Sequence, residues 1–265
     1  MIDKISDAPP KALIFEDLSH LNGPFDIVGD VHGCFDELYE LIKKLGYKIY
    51  KIEDSYKVSH SQNRKLVFVG DLVDRGPKIS EVLKLVMDMA ESNIAHCVKG
   101  NHDDKLKRKL LGRDVKVIHG LEQSLEQLEL ESTGFKEEVI EFLNNLKAYL
   151  IFDTGKLIVS HAGFQERFTG QESKRVEAFC LYGQNTGEYD EYGLPIRYDW
   201  AKDYKGNSFI VYGHTPMSEA KIVNNTINID TGCVFGGALT AFRYPEKTVL
   251  SQRAFKQYRQ ANRGL

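Results

Sequence analysis

Little in this sequence is concentrated. Its 35 lysines and arginines stand against 38 aspartates and glutamates, a formal charge of -3. No global field therefore draws the chain to nucleic acid or acidic lipid, and an anionic ligand must be held by local charge, such as metal ions. The four cysteines, Cys34, Cys97, Cys180 and Cys233, are scattered without a Cys-x-x-Cys pair, which argues against a zinc ribbon or redox motif and for free, buried thiols. No apolar run approaches the roughly 18 residues of a membrane-spanning helix. Residues 1–22 lack the basic-then-apolar layout of a signal peptide, so the expectation is a cytoplasmic protein with no membrane partner. Gly155-Lys156 lacks the glycine-rich lead of a phosphate-binding P-loop, and a Lys-x-Asp-Gly adenylation motif is missing. Kinase and ligase chemistry by this chain are thereby excluded. No repeat, low-complexity tract or linker divides it.

What is present is a soluble globular composition, 42% hydrophobic and 28% charged over 265 residues, enough for one large core. The organising stretch is Gly70-Asp71-Leu72-Val73-Asp74-Arg75-Gly76-Pro77, which follows the apolar run Leu66 to Val69. Four apolar residues stopped by glycine read as a buried strand, so acidic groups emerge at a strand's C-terminal end, where open α/β sheets bind ligands. Phe25-Asp26-Ile27-Val28 is a similar strand ending in Gly29-Asp30-Val31-His32-Gly33, and Ile94 to Val98 runs into Gly100-Asn101-His102-Asp103. The spacing of Phe35, Leu38, Leu41, Ile42 and Leu45 predicts one helix and that of Val82, Leu83, Val86 and Met89 another, over Ile79 to Glu91. Strands alternating with helices imply right-handed crossovers and a parallel sheet.

Beyond Asp104 the leucine spacing turns helical as far as Leu146, an insert placed to cover one end of the sheet. Tyr149 to Phe152 and Leu157 to Ser160 read as a hairpin whose second strand delivers His161-Ala162-Gly163. Phe164 to Asn207, with a short helix near Ser173 to Leu181, is irregular enough to be a functional surface loop. Phe209 to Tyr212 is a strand ending in Gly213-His214. Thr226 to Asp230, Ala238 to Arg243 and Thr248 to Ser251 read as an antiparallel finish. Met1 to Asn22 is read as a loosely packed lead-in. The tail from Arg253, basic and without an acidic residue, is read as solvated or weakly docked.

Strand ends thus present Asp30 and His32, Asp71, Asn101 and His102, His161, and His214. A histidine or aspartate after a single strand is ordinarily a satisfied turn residue; the repetition across strands is what points to a shared centre. Mixed nitrogen and oxygen donors suit Mn, Fe, Zn or similar divalent ions. The donors are too many for one open ion but adequate for two that share a carboxylate. Such pairs, about 3.5 to 4 Å apart, hold the attacking and leaving oxygens of an in-line phosphoryl displacement.

In their order, Gly29-Asp30-Val31-His32-Gly33, Gly70 to Gly76, Gly100-Asn101-His102-Asp103, His161-Ala162-Gly163 and Gly213-His214 resemble the motifs of the calcineurin-like metallophosphoesterases, in their phosphoprotein-phosphatase branch. More narrowly, Leu181 to Gly183, Tyr192 to Tyr198 and Asn224 to Gly237 resemble the phosphatase domain of bacterial polynucleotide kinase-phosphatase. The resemblance implies an α/β fold: a β-sandwich of two mixed sheets flanked by helices (α/β/β/α) over residues 23–252, with a helical insert at about 104–148, between lead-in 1–22 and tail 253–265. It implies two divalent metal ions, Mn first and Ni, Fe or Zn as alternatives. Asp30, His32 and Asp71 would surround one, and Asp71, Asn101, His161 and His214 the other. It implies His102 as the acid that protonates the leaving oxygen, oriented by Asp74, with Arg75 on the phosphate. Asn101 and Arg197 are further substrate contacts, and Asp230 supports the ligands from behind.

The expected activity is phosphate ester hydrolysis by metal-bound hydroxide, on 2′-, 3′- or 2′,3′-cyclic phosphates of RNA ends or nucleotides, with any kinase or ligase partner encoded separately. Competing readings are dinucleoside polyphosphate hydrolysis, serine/threonine protein phosphatase activity and, from another class, a non-catalytic phosphate-ligand binding module. That module requires a missing ligand or acid, and none is missing.

Overall fold

The computed structural model describes residues 13–191 and 195–261. After β1 (Phe15–Leu18), the fully buried β2 (Phe25–Val28) leads into α1 (Phe35–Lys44), whose Leu38, Leu41 and Ile42 form the buried stripe. Lys43 and Lys44 close that helix where positive charge complements its C-terminal dipole. β3 (Tyr47–Ile52) and β4 (Ser55–His60) form a separate antiparallel hairpin. β5 (Lys65–Phe68), α2 (Ile79–Glu91) and β6 (Ala95–Cys97) complete two parallel crossovers, β2 with β5 and β5 with β6. The insert consists of α3 (Asn101–Leu110), α4 (Leu121–Glu129) and α5 (Thr133–Asn145).

β7 (Tyr149–Phe152) and β8 (Leu157–Ser160) form the expected antiparallel hairpin. α6 (Lys174–Tyr182) starts at Ser173, whose hydroxyl accepts Val176 N at 3.2 Å, a serine cap on an otherwise unsatisfied amide. β9 (Asn185–Tyr189) and β10 (Pro195–Arg197) form a small hairpin inside what the sequence presents as irregular loop. β11 (Phe209–Tyr212), β12 (Ile222–Val223), β13 (Thr226–Asn228), β14 (Asp230–Thr231), β15 (Ala238–Tyr244) and β16 (Thr248–Arg253) follow.

Two mixed sheets result. One runs β14-β15-β2-β5-β6, with β16 paired to β15; the other runs β1-β7-β8-β11-β13-β12. They pack face to face through Phe25, Ile27, Val67, Val69, Phe152, Val159, Val211 and Phe242. Outside the first sheet, Val28, Leu66 and Phe68 meet α1, α2 and insert residues such as Leu106, Leu121 and Val139. Outside the second, Tyr149, Ile158 and Ile210 meet Phe164, Val176 and Trp200. This is the four-layer α/β/β/α sandwich, and each fully buried Leu, Ile, Val or Phe contributes roughly 1.5 to 3 kcal/mol. A charged pair is buried within it: Asp26 is wholly enclosed, and Arg64 reaches it through Nε and Nη2, both at 3.0 Å, with Arg243 Nε at 2.9 Å.

Three expectations need correction. Residues 15–18 of the lead-in are not loose: β1 pairs parallel with β7, and Phe15 stacks on Tyr149 at 5.1 Å. Residues 1–12, 192–194 and 262–265 lie outside the described residues. Thr226 to Asp230 is not one strand. β13 belongs to the second sheet and β14 to the first, so the chain changes sheets at Ile229. The start of the tail is docked: Ala254 N donates to Gly237 O at 2.9 Å and Tyr258 N to Val234 O at 3.0 Å. Tyr258 and Phe255 supply hydrogen bonds and apolar surface that a count of basic residues does not reveal.

Candidate metal centre

The C-terminal ends of β2, β5, β6, β8 and β11 converge at one edge of the sandwich. Five of the side chains there sit on left-handed backbone: His32 (φ 44°), Asp71 (51°), Asp74 (70°), Arg75 (72°) and His214 (75°). Side chains rarely adopt this conformation, and its clustering marks strain tolerated for a purpose. Glycine is required where the turns close on each other. A Cβ at Gly213 would stand 2.0 Å from Asp30 Oδ1, and one at Gly100 would stand 2.2 Å from Asp71 N.

Asp71 lies at the middle. Its Oδ2 is 3.6 Å from His32 Nε2 and 3.4 Å from His161 Nε2, so a single oxygen faces imidazoles from both sheets. His161 Nε2 is also 3.0 Å from Asn101 Oδ1 and 2.9 Å from His214 Nδ1. Carbonyl partners fix two tautomers. His32 Nδ1 donates to Val73 O at 2.7 Å and His161 Nδ1 donates to Val69 O at 2.9 Å, which turns each Nε2 toward Asp71. Two groups of close ligand atoms emerge, His32 with Asp71 and His102, and Asp71 with His161 and His214; they share Asp71. Asp30 lies beside the second group, its carboxylate accepting His214 N at 3.1 Å.

Burial and neighbouring charges pull the groups of the cluster in opposite directions. Burial, reinforced by Asp230 and Asp71, holds the Asp30 carboxyl well above the usual range. Burial acts the same way on Asp71, but His161, His102 and His32 outweigh it and hold that carboxyl well below. Burial disfavours a proton on His161, yet Asp71 and Asp30 push its pKa up to about 9. His214 Nε2 is buried without a hydrogen-bond partner among the described residues. Carboxylate, amide oxygen and imidazole groups gathered this closely, with the orphaned His214 nitrogen beside them, fit divalent cations.

Beside the cluster, His102 Nδ1 lies 2.6 Å from Asp74 Oδ2. Asp74 is fully buried, and its Oδ1 accepts from Ser124 Oγ. Arg75 spans the two histidines, Nη1 on His32 Nε2 and Nη2 on His102 Nε2 at 2.8 Å, with its guanidinium over the Phe235 ring at 5.3 Å. Asp230 is buried and caps Gly232 N at 3.0 Å; burial pushes its pKa up to about 6. Arg197 is half-buried, donates to Tyr182 O and lies near enough for its charge to help keep His214 neutral. Every sequence-predicted residue therefore lies at or beside the cluster.

Two contributors carry no signal of their role in the sequence. Asp103, fully buried, accepts the amides of Asp71, Leu72 and Gly100 at 2.8, 3.0 and 2.9 Å and so sets the Asp71 turn. Ser124 comes from α4 of the insert.

Residues 23–247 match the calcineurin-like phosphoesterase family, and the chain belongs to it. It is 47% identical over 230 residues to the bis(5′-nucleosyl)-tetraphosphatase PrpE [asymmetrical] of Geobacillus sp. (strain WCH70), covering 85% of this chain and 92% of that one. It is 51% identical over 226 residues to the protein of the same name from Halalkalibacterium halodurans, covering 84% and 90%. Among solved structures, a putative diadenosine tetraphosphatase superposes with a TM-score of 0.65 at 25% identity, over 92% of this chain and 99% of that one. A serine/threonine phosphatase from Saccharomyces cerevisiae shares the fold at 16% identity, with a TM-score of 0.60 over 91% and 84%. The chain is thus a metallophosphoesterase, a hydrolase of phosphate esters.

Proposed function

We propose that this member of the calcineurin-like phosphoesterases hydrolyses dinucleoside tetraphosphates asymmetrically, using two divalent ions, with Mn as the working choice. One observation carries the substrate: relatives up to 51% identical, aligned over most of both chains, bear the asymmetrical tetraphosphatase name. That moves the preferred substrate from RNA-end phosphates, which rest on motif likeness alone, to the dinucleoside polyphosphate alternative.

Asp30, His32 and Asp71 would hold one ion, and Asp71, Asn101, His161 and His214 the other. When bound, the pair neutralises phosphate charge and makes a water nucleophilic near neutral pH. The protein's own groups do the rest. Asp74 fixes the His102 ring through Nδ1, leaving Nε2 to carry the proton that the departing bridge oxygen takes up. Arg75 presents two terminal nitrogens beside that same Nε2, and on substrate binding its fork passes from the imidazoles to phosphate oxygens. Asp103 keeps Asp71 aimed by occupying three amides of the turns around it.

The test is product analysis with diadenosine tetraphosphate and Mn²⁺. AMP and ATP in equal amounts support the proposal. ADP alone, or turnover confined to RNA 2′,3′-cyclic phosphates or phosphopeptides, rejects it.

A further inference from the structure

Beside the His32 loop, three other side chains meet inside the protein: Cys34, two residues after His32 and just before α1, with its Sγ donating to His32 O at 3.8 Å; Glu37 in the first turn of α1; and Cys233 in the turn after β14. One ligand atom from each lies within 4.8 Å of the other two. Cys34 and Glu37 are wholly buried, and Cys233 is 2% exposed. Two buried thiols alone would be ordinary packing. Glu37 is not explained that way. Its Oε1 accepts from Phe255 N at 2.9 Å and Tyr258 Oη at 2.8 Å, while its Oε2 is buried with no partner among the described residues. A buried carboxylate oxygen without a donor carries a desolvation cost that folded proteins normally offset with a hydrogen bond or a cation.

We propose that Cys34, Glu37 and Cys233 form a third metal site, selective for a thiophilic divalent ion such as Zn²⁺. Two sulfurs and a carboxylate oxygen are a zinc-type donor set, whereas the Asp71 cluster offers only nitrogen and oxygen. Donors on a tetrahedral zinc with arms of about 2.0 to 2.3 Å stand roughly 3.3 to 3.8 Å apart. Groups already within 4.8 Å of one another therefore need only a small closing movement. On binding, each thiol would lose its proton to the buffer as the ion enters and would hold the ion through sulfur, with the Glu37 carboxylate as the third donor. The ion ties together three segments: α1, the turn after β14, and the docked tail that holds Glu37 through Phe255 and Tyr258. Softness sorts the ions, Mn²⁺ to the Asp71 cluster and Zn²⁺ to the thiols. This holds whichever ester the enzyme cleaves.

The experiment adds Cd²⁺, a zinc surrogate whose thiolate bonds give an ultraviolet charge-transfer band, to the full chain already loaded with Mn²⁺. One equivalent per chain should produce the band. Cys34→Ser and Cys233→Ser should each abolish it, and Glu37→Gln should weaken Cd²⁺ affinity at least about tenfold. Asp71→Asn should keep the band while losing Mn²⁺. Because serine variants in a packed core can misfold, wild-type protein is also alkylated under mild denaturant with and without Cd²⁺. Protection of Cys34 and Cys233, but not of Cys97 and Cys180, supports the site. Absence of the band in wild type, its survival in the double serine variant, or equal protection of all four cysteines overturns it.

Discussion

Ser124 Oγ donates to Asp74 Oδ1 at 2.5 Å and accepts Asp74 N at 2.9 Å, a reciprocal pair between residues 50 positions apart. With His102 Nδ1 on the other carboxylate oxygen, Asp74 cannot rotate, and the ring it holds cannot swing away from the bridge oxygen. The helical insert thus does more than cover the sheet; α4 sets the acid.

Ser124→Ala should lower kcat about tenfold, or about 1.4 kcal/mol of barrier, with KM and metal content nearly unchanged. Ser124→Thr, which keeps the hydroxyl, should recover part of the loss. Steady-state kinetics alongside metal analysis checks this, and a fall in KM-dependent binding alone would refute the positioning role.

Asp71→Asn should cost both ions together, because one oxygen faces donors from both sheets. Metal content should drop for the pair and activity by at least about 100-fold, while the far-ultraviolet circular dichroism stays folded. Loss of one ion with the other retained would show that the carboxylate is not shared.

Removing the acid should discriminate among leaving groups. His102→Ala should slow alkyl phosphates far more than aryl phosphates, whose departing oxygens need little protonation. A Brønsted series on the variant would show a steeper dependence on leaving-group pKa than wild type; parallel slopes would assign His102 elsewhere.

Arg64→Ala leaves the enclosed Asp26 carboxylate with Arg243 as its remaining side-chain partner. Stability should fall by about 3 kcal/mol or more, read from the urea midpoint. A loss below about 1 kcal/mol would mean that water or Arg243 fully compensates.

Acid stability should depend on His96. Burial, with Lys65 adding repulsion, lowers its pKa from 6.5 to about 4. The folded state then binds fewer protons than the unfolded state between those values, so stability is complete above pH 6.5 and declines as pH falls toward 4. After allowance for partial exposure the effect is about 2 to 3 kcal/mol. His96→Gln should flatten that limb of a pH–Tm profile, and an unchanged slope would contradict the assignment.

The donors were legible because each follows a short local pattern: a buried strand, then glycine, then a ligand type. Val67 and Phe68 announce Asp71, and Ile158 and Val159 announce His161, within a few residues. Ser124 was not legible, since a serine on an amphipathic helix looks solvent-facing until the neighbouring layer is placed over it. Asp103 stood inside a motif, but two of the three amides it accepts, those of Asp71 and Leu72, lie 32 and 31 positions away in another turn. The meeting of Cys34 with Cys233 and the change of sheet at Ile229 are long-range facts with no local signature. β1 escaped because its pairing with β7 reflects an available sheet edge more than its own pattern.

β15 occupies the slot between β2 and β14, and Thr240 O on it accepts Gly29 N at 2.9 Å, one residue before Asp30. Translation delivers β15 after every proposed ligand has been synthesised. A nascent chain released as far as His214 would own the full complement of donors, and the loop bearing Asp30 and His32 would keep its bonds to the Asp71 turn but lose the one from Gly29 to β15. The flank of β2 would meanwhile stand open to pairing with a neighbouring chain. Premature termination between residues 214 and 238 should therefore yield aggregation, not a weakened enzyme.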